Sequence, residues 1–281
     1  MSTRLRNALS AALIAAACLL VPFGALAAWA SYGLADTGRY VTAMAPLAGN
    51  PAVREAVADT VGDGIVRETG AGAPLRPFVR DAVRSFTGTE AFRAAWDSGN
   101  RAVHDAILTA VREGGTEEVR VDLAPVAAEV RDRLAADHVP FAHRIPVRHT
   151  EVAVLPAGEL AELRRGFRAL EVAGFWLPVT AAGLAVAGLA VAACRRRAVT
   201  AMSLGTALGG AFLGLAVALG RRLTLSDLPD DVHRPAAGAV YDALTGTLRT
   251  VSWLLVAVGL AVAAATWLLT RRQPSAPASR P

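Results

Sequence analysis

Three side chains spaced four residues apart could line a ligand-binding pocket. Trp96, Asn100 and His104 lie one helical turn from each other, so on a helix they share one face. Trp96 would supply an apolar wall, while Asn100 and His104 would supply polar contacts. Alternatively, Asn100 and His104 lie at the edge of a core and bond to a neighbouring helix, because most buried polar groups are hydrogen-bonded. The spacing predicts the shared face and leaves both roles open.

A second group of residues could bind a metal ion. His138, His143 and His149 lie close in sequence to Glu151, and imidazole and carboxylate groups are common ligands of zinc. Their spacing matches neither of the helical zinc motifs His-x-x-x-His and His-Glu-x-x-His, and two intervening prolines make the segment irregular. A site here requires that an extended loop brings the three imidazoles together.

Signatures of catalysis and of nucleic-acid binding are absent from the sequence. There is no Gly-x-Ser-x-Gly nucleophile elbow, and the two cysteines, Cys18 and Cys194, fall in apolar segments. The chain has no lysine, which excludes a phosphate-binding loop of the Gly-x-x-x-x-Gly-Lys type. Its arginines are spread over several segments rather than gathered in one patch. We therefore expect no enzyme activity, no cofactor and no nucleic-acid partner.

Four apolar segments are long enough to cross a membrane, which needs about 20 mostly apolar residues. None of them contains Asp, Glu, Lys, Arg or His, and they are residues 8–30, 172–194, 198–220 and 251–270. The sequence thus predicts an integral membrane protein whose apolar segments contact the lipid bilayer. The lack of ionisable groups removes the usual marks of an ion or proton pathway.

The distribution of arginine predicts how these segments are oriented. Residues 1–7, 195–197 and 271–281 together carry eight arginines, whereas the short loop 221–250 carries four. The positive-inside rule therefore favours a plasma-membrane protein with both termini in the cytoplasm. Residues 31–171 and 221–250 would then lie outside, and the Pro- and Ser-rich tail within 271–281 should be disordered.

The first apolar segment has two interpretations. Small residues at 25–27 and 28–30 could form a signal-peptidase cleavage site after the basic residues 1–7. The apolar run is longer than the roughly 7–15 residues of a signal-peptide core, which favours a retained membrane anchor.

The region 31–171 reads as a mostly helical domain. Asn50 can cap a helix that has Pro51 at its first position. Apolar residues at helical spacing follow in the ranges 53–65, 75–86, 92–111, 123–134 and 160–170, and the last leads without a break into the second span. Alternating residues at 119–123 and 152–154 predict two short strands that pair with each other. The predicted fold is mainly α, with a four-helix transmembrane bundle and a helical extracytoplasmic domain containing a minimal two-stranded β element.

Residues 221–250 contain a further amphipathic helix. Pro235 would open it, and Ala236, Val240, Leu244 and Leu248 would share one face. Such a face suits either the membrane surface or the underside of the exported domain.

Small residues mark the third apolar segment. Gly205 and Gly209, like Gly210 and Gly214, are spaced four apart and lie on adjoining faces. Faces of small residues let helices approach closely. This helix should therefore either occupy the centre of the bundle or mediate a homo-oligomer.

Short motifs in a fixed order run through nearly the whole chain. They are Arg39-Tyr40, Ala45-Pro46-Leu47-Ala48, Pro51-Ala52-Val53, Phe78-Val79-Arg80-Asp81, Trp96, Asn100-Arg101, Val121-Asp122-Leu123, Arg144-Ile145-Pro146, Trp176-Leu177-Pro178, residues 195–197, Gly220-Arg221 and Leu228-Pro229. In this order they resemble a family of actinobacterial integral membrane proteins. The resemblance implies a four-helix topology with a large first outer loop. It implies no activity and no functional residues.

Three functional hypotheses follow. The first is a non-enzymatic envelope protein whose extracytoplasmic domain binds a partner protein or ligand. The second is a permease-like membrane component of a transport system, although the cytoplasmic segments leave little surface for coupling to an ATPase. The third, an extracytoplasmic metal-dependent enzyme, depends on the three histidines between 138 and 149.

Overall fold

The computed structural model describes residues 3–69, 73–113, 119–122, 124–136, 151–228 and 233–271. The protein is mainly α-helical, as predicted. It divides into two compact units. The apolar unit comprises Met1–Tyr32, Leu170–Gly220 and Gly246–Pro281, and the polar unit comprises Gly33–Ala169 and Arg221–Thr245.

Four long helices are apolar enough to cross a membrane. They are α1 (Thr3–Trp29, continued by a π-helical turn, Ala30–Leu34), α7 (Ala157–Val191), α8 (Arg195–Ser226) and α9 (Arg234–Arg271). Their candidate spans are Thr3–Leu34, Leu160–Val191, Arg195–Ser226 and Arg234–Leu269. At 1.5 Å per residue each exceeds the roughly 30 Å of a bilayer's hydrocarbon core. The predicted set of four long apolar helices is confirmed.

These helices extend beyond the apolar segments that reveal them. The stripe at 160–170 and the second span form one helix, α7, as predicted. The helix predicted from Pro235 and the fourth span also form a single helix, α9. Hydropathy marks only the part of a helix that suits a bilayer, whereas Ala, Leu and Arg favour helix on either side of that part.

The turn between α7 and α8 lies at residues 192–194, three residues before the predicted turn at 195–197. The arginines at 195–197 form the first turn of α8 instead, and Ala198 N donates to Cys194 O at 3.2 Å to close that turn. The prediction placed the turn where the charges begin. Arginine is a good helix former, so a change in polarity does not end a helix.

In the apolar unit, α8 lies between α1 and α9. Gly205 faces Cys18 of α1, and a Cβ atom on Gly209 would lie 3.3 Å from Cys18 O. On the adjoining face, a Cβ atom on Gly210 would lie 2.9 Å from the carbonyl oxygen of Ser252 in α9, and one on Gly214 would lie 2.6 Å from Ser252 Oγ. The four glycines singled out in the sequence thus stand at two helix contacts within one chain.

Buried serine hydroxyl groups donate hydrogen bonds to backbone carbonyl oxygens of neighbouring helices. Ser10 Oγ donates to Gly188 O at 2.7 Å, joining α1 to α7. Ser252 Oγ donates to Gly210 O at 2.8 Å, joining α9 to α8. Small residues and interhelical hydrogen bonds are the usual means of helix association in a membrane, where burial of apolar area supplies no driving force.

The polar unit is built from shorter helices. They are α2 (Thr37–Met44), α3 (Pro51–Thr69), α4 (Arg76–Phe86), α5 (Glu90–Glu113) and α6 (Ala124–Ala136), with 3₁₀ turns at Ala45–Gly49 and Ala73–Leu75. The predicted cap of α3 is confirmed, because Asn50 Oδ1 accepts from Ala52 N at 3.0 Å and Pro51 opens the helix. Asp36 Oδ1 caps α2 by accepting from Arg39 N at 2.8 Å.

Two short segments of the polar unit are extended. Val119–Asp122 (β1) and Glu151–Leu155 (β2) run antiparallel. Val121 is opposite Val152, and an irregularity in the register falls between Val119 and Arg120.

The core of the polar unit contains Met44, Leu47 and Val53, against which Trp96 and the first turns of α9 pack. The packed residues of α9 include Ala236, Val240 and Leu244. The apolar face that begins at Ala236 had two predicted locations, the membrane surface and the helical domain. The packing confirms the location against the helical domain. A second cluster, around Val111 and Leu160, joins α5 to the start of α7.

Candidate functional site

The predicted face of Trp96, Asn100 and His104 lies on α5 and contacts α2. Trp96 Nε1 donates to Met44 O at 2.9 Å. Asn100 Nδ2 donates to Trp96 O at 2.7 Å, and the hydroxyl group of Tyr40 donates to Asn100 Oδ1 at 3.5 Å. These polar groups bond within the polar unit, which is what the interpretation as a packing edge requires.

The imidazole ring of His104 contacts Tyr40, Leu34 and Thr37. Its ring stacks on Tyr40, with ring centres 4.2 Å apart and planes 17° from parallel. Nε2 lies 2.9 Å from Leu34 O, and because a carbonyl oxygen can only accept, Nε2 carries a proton. Nδ1 lies 3.0 Å from Thr37 Oγ1, and Asp105 Oδ1 is also within hydrogen-bonding distance of that hydroxyl group.

Thr37 has one hydroxyl hydrogen and two neighbours that can accept it. If His104 is neutral, Nδ1 accepts this hydrogen, and Asp105 then receives no hydrogen bond from Thr37. If His104 is protonated, both ring nitrogens donate and Thr37 can bond to Asp105. Burial lowers the pKa of His104; the bond to Leu34 O and the nearby Asp105 and Asp36 oppose this effect, and Arg112 reinforces it. Neutral His104 is therefore the form that the fold favours at pH 7.

The lowered pKa of His104 predicts that acid destabilises the protein. The folded state then binds fewer protons than the unfolded chain, so stability is full above the ordinary value of 6.5 and falls as the pH drops below it. We expect the melting temperature of the purified chain to fall between about pH 7.5 and about pH 5.5. His104→Gln should flatten this dependence. Equal slopes in the wild type and in His104→Gln would contradict the prediction.

The predicted metal ligands His138, His143 and His149 lie outside the described residues. Among the residues that the structure does describe, no group of three or more His, Cys, Asp or Glu side chains could hold a metal ion. Both the metal site and the absence of a cofactor stay predictions.

A ladder of ion pairs, which was not among the sequence predictions, joins α3 and α4 into a hairpin. Its pairs are Glu55–Arg84, Asp59–Arg80 at 2.8 Å and Asp63–Arg76 at 3.5 Å. The carboxylates are spaced four apart on one helix and the arginines four apart on the other, which was the available sequence signal. The helices are in contact at Gly62, where an added Cβ atom would lie 3.4 Å from Arg80 Cα, an ordinary van der Waals distance.

The same hairpin exposes four large apolar side chains, which we call the hairpin apolar surface. Leu75 is 53% and Phe78 74% exposed, and Val61 and Ile65 of α3 are also exposed. The sequence predicted core stripes here. In α4, every residue of which is described, no residue is buried. Among these side chains Phe78 is the most exposed, and aromatic residues are enriched at sites of protein contact.

No protein-family model, curated protein or solved structure matches the chain. Of the resemblance to actinobacterial membrane proteins, only the four long apolar helices are confirmed. Family membership stays a prediction.

Proposed function

We propose that the chain is a non-enzymatic, multi-pass protein of the plasma membrane whose polar unit binds a partner protein outside the cell. The observation that carries this proposal is the exposure of Phe78 on α4 and of Leu75 in the 3₁₀ turn that precedes it. Aromatic side chains such as Phe78 are enriched at protein interfaces, where they bury a large apolar area on docking.

The geometry of the hairpin suits this role. Val61 and Ile65 are four residues apart on α3 and share a helix face, while Leu75 lies three residues before Phe78, in the turn that leads into α4. The ion-pair ladder joins the two helices. A preorganised helix face loses little conformational freedom on docking, which favours binding.

Two observations support the proposed topology. Arginine is concentrated at 1–7, 195–197 and 271–281, which favours both termini in the cytoplasm. The apolar unit also includes α1 as a packed member, because Ile14 is buried against Ala192 and Ala198. This packing supports a retained anchor rather than a cleaved signal peptide.

A photo-crosslinking amino acid at position 78 tests the proposal in intact cells. We expect a discrete protein adduct, because Phe78 projects from the hairpin apolar surface. Position 93 serves as the control, since Arg93 is exposed on α5 and lies outside this surface. An adduct of twice the mass of the chain would identify a second copy as the partner. An adduct of another mass would identify an envelope protein as the partner.

The companion substitution Leu75→Glu should suppress that adduct several-fold, because a buried unpaired carboxylate opposes docking. The proposal would be contradicted by identical adducts from positions 78 and 93. It would also be contradicted by an adduct that Leu75→Glu leaves unchanged.

A further inference from the structure

A groove runs along α1 and α8 in the apolar unit. Two adjoining cavities of about 490 and 450 Å³ form it, and both are lined by Ala15, Cys18 and Gly205. The helices are parallel here, since Asn7 and Arg197 line one end while Phe23 and Phe212 line the other. From Asn7 to Phe23 the helix rises about 24 Å, at 1.5 Å per residue.

The two ends of the groove differ in polarity. The first cavity is lined by the polar side chains of Asn7 and Arg197. The second cavity is lined almost wholly by apolar groups, among them Leu19 and Leu208. A ligand that fits this gradient has one polar end and a long apolar chain.

The polar end of the groove is rich in arginine. Arg195, Arg196 and Arg197 open α8 and are exposed, and Arg4 and Arg6 open α1. Neither α1 nor α8 contains an Asp or Glu residue. A guanidinium group forms paired, charge-assisted hydrogen bonds with phosphate, so an anionic headgroup complements this end.

We propose that this groove binds an anionic phospholipid, with the phosphate group at Arg197 and one acyl chain along Leu19 and Leu208. Basic pockets between membrane helices are suited to such headgroups. The inference rests on the proposed membrane location and is independent of the hairpin apolar surface. A chain that fractionated as soluble without detergent would refute the location itself, which is a different result from a failure to bind lipid.

Native mass spectrometry of the detergent-purified full chain tests the site with dioleoyl phosphatidylglycerol and, separately, dioleoyl phosphatidylcholine. We expect one retained phosphatidylglycerol and weaker retention of phosphatidylcholine. Arg197→Gln should weaken phosphatidylglycerol binding about tenfold, as expected for loss of a charge-assisted hydrogen bond. Arg195→Gln removes the same charge from the same exposed turn, outside the groove lining, and should change binding much less.

A second pair of variants tests the acyl-chain part of the groove. Ala15 lines both cavities and is exposed, so Ala15→Phe should fill the groove without disturbing the helix and should reduce lipid retention. Ala12→Phe, at an exposed position outside the lining, is the control. Equal effects of the two arginine variants, equal effects of the two alanine variants, or equal retention of both lipids would each overturn the proposal.

Discussion

Replacing Gly259 by leucine is expected to separate α9 from α8 and to destabilise the apolar unit more than any other single change considered. A Cβ atom at this position would lie 2.5 Å from Ser203 O and 2.8 Å from Ala207 N. Both are backbone atoms of α8, so no side-chain rotation relieves the overlap. Overpacking typically costs about 1–3 kcal/mol, and a clash with backbone belongs at or above the top of that range.

Thermal unfolding and size-exclusion chromatography in mild detergent would measure the effect. Gly259→Leu should lower the melting temperature by several degrees or yield aggregated protein. Gly183→Leu is the matched control, because a Cβ added at Gly183 in α7 would have no atom within 4 Å other than those of its chain neighbours and of the nearby backbone of α7. If Gly259→Leu behaved like Gly183→Leu, the close approach of α8 and α9 would be disproved.

Trp96→Ala is expected to destabilise the polar unit by about 3 kcal/mol, the lower part of the range for removal of a large aromatic side chain. Trp96 packs on the cluster of Met44, Leu47 and Val53 and also donates to Met44 O at 2.9 Å. We take the low end because the side chain is only half-buried. Trp96→Phe keeps most of this packing and should cost about 1 kcal/mol, mainly for the lost hydrogen bond.

Chemical or thermal denaturation followed by far-ultraviolet circular dichroism would test this ranking. Phe78→Ala provides the comparison, since a side chain 74% exposed should change stability by less than about 0.5 kcal/mol. Unchanged stability in Trp96→Ala would contradict a packing role and favour the ligand pocket that the spacing of Trp96, Asn100 and His104 also allowed.

Some features of the fold could be predicted because their causes are local. A span is recognisable from about 20 consecutive residues, and the four apolar segments needed no knowledge of their neighbours. The start of α3 is equally local, because Asn50 bonds to Ala52 N only two residues away. The helix face shared by Trp96, Asn100 and His104 follows from spacing alone.

The partners of that face could not be predicted. Trp96 bonds to a carbonyl oxygen 52 residues away, and His104 bonds to groups 67 and 70 residues away. The ladder between α3 and α4 is an intermediate case. Its two charge series are visible in the sequence, but only the hairpin brings Asp59 beside Arg80.

The sequence by itself determined that the protein is mainly helical and has four helices suited to a membrane, because helix periodicity and span length depend on neighbouring residues only. The tertiary structure decided which apolar faces are covered. It buried Val53 at the start of α3, left Val61 on the same helix and Phe78 on α4 exposed, and brought α1 and α8 together around a groove. An apolar stripe shows which face of a helix favours burial. Whether another segment covers that face depends on tertiary contacts, which a local pattern does not encode.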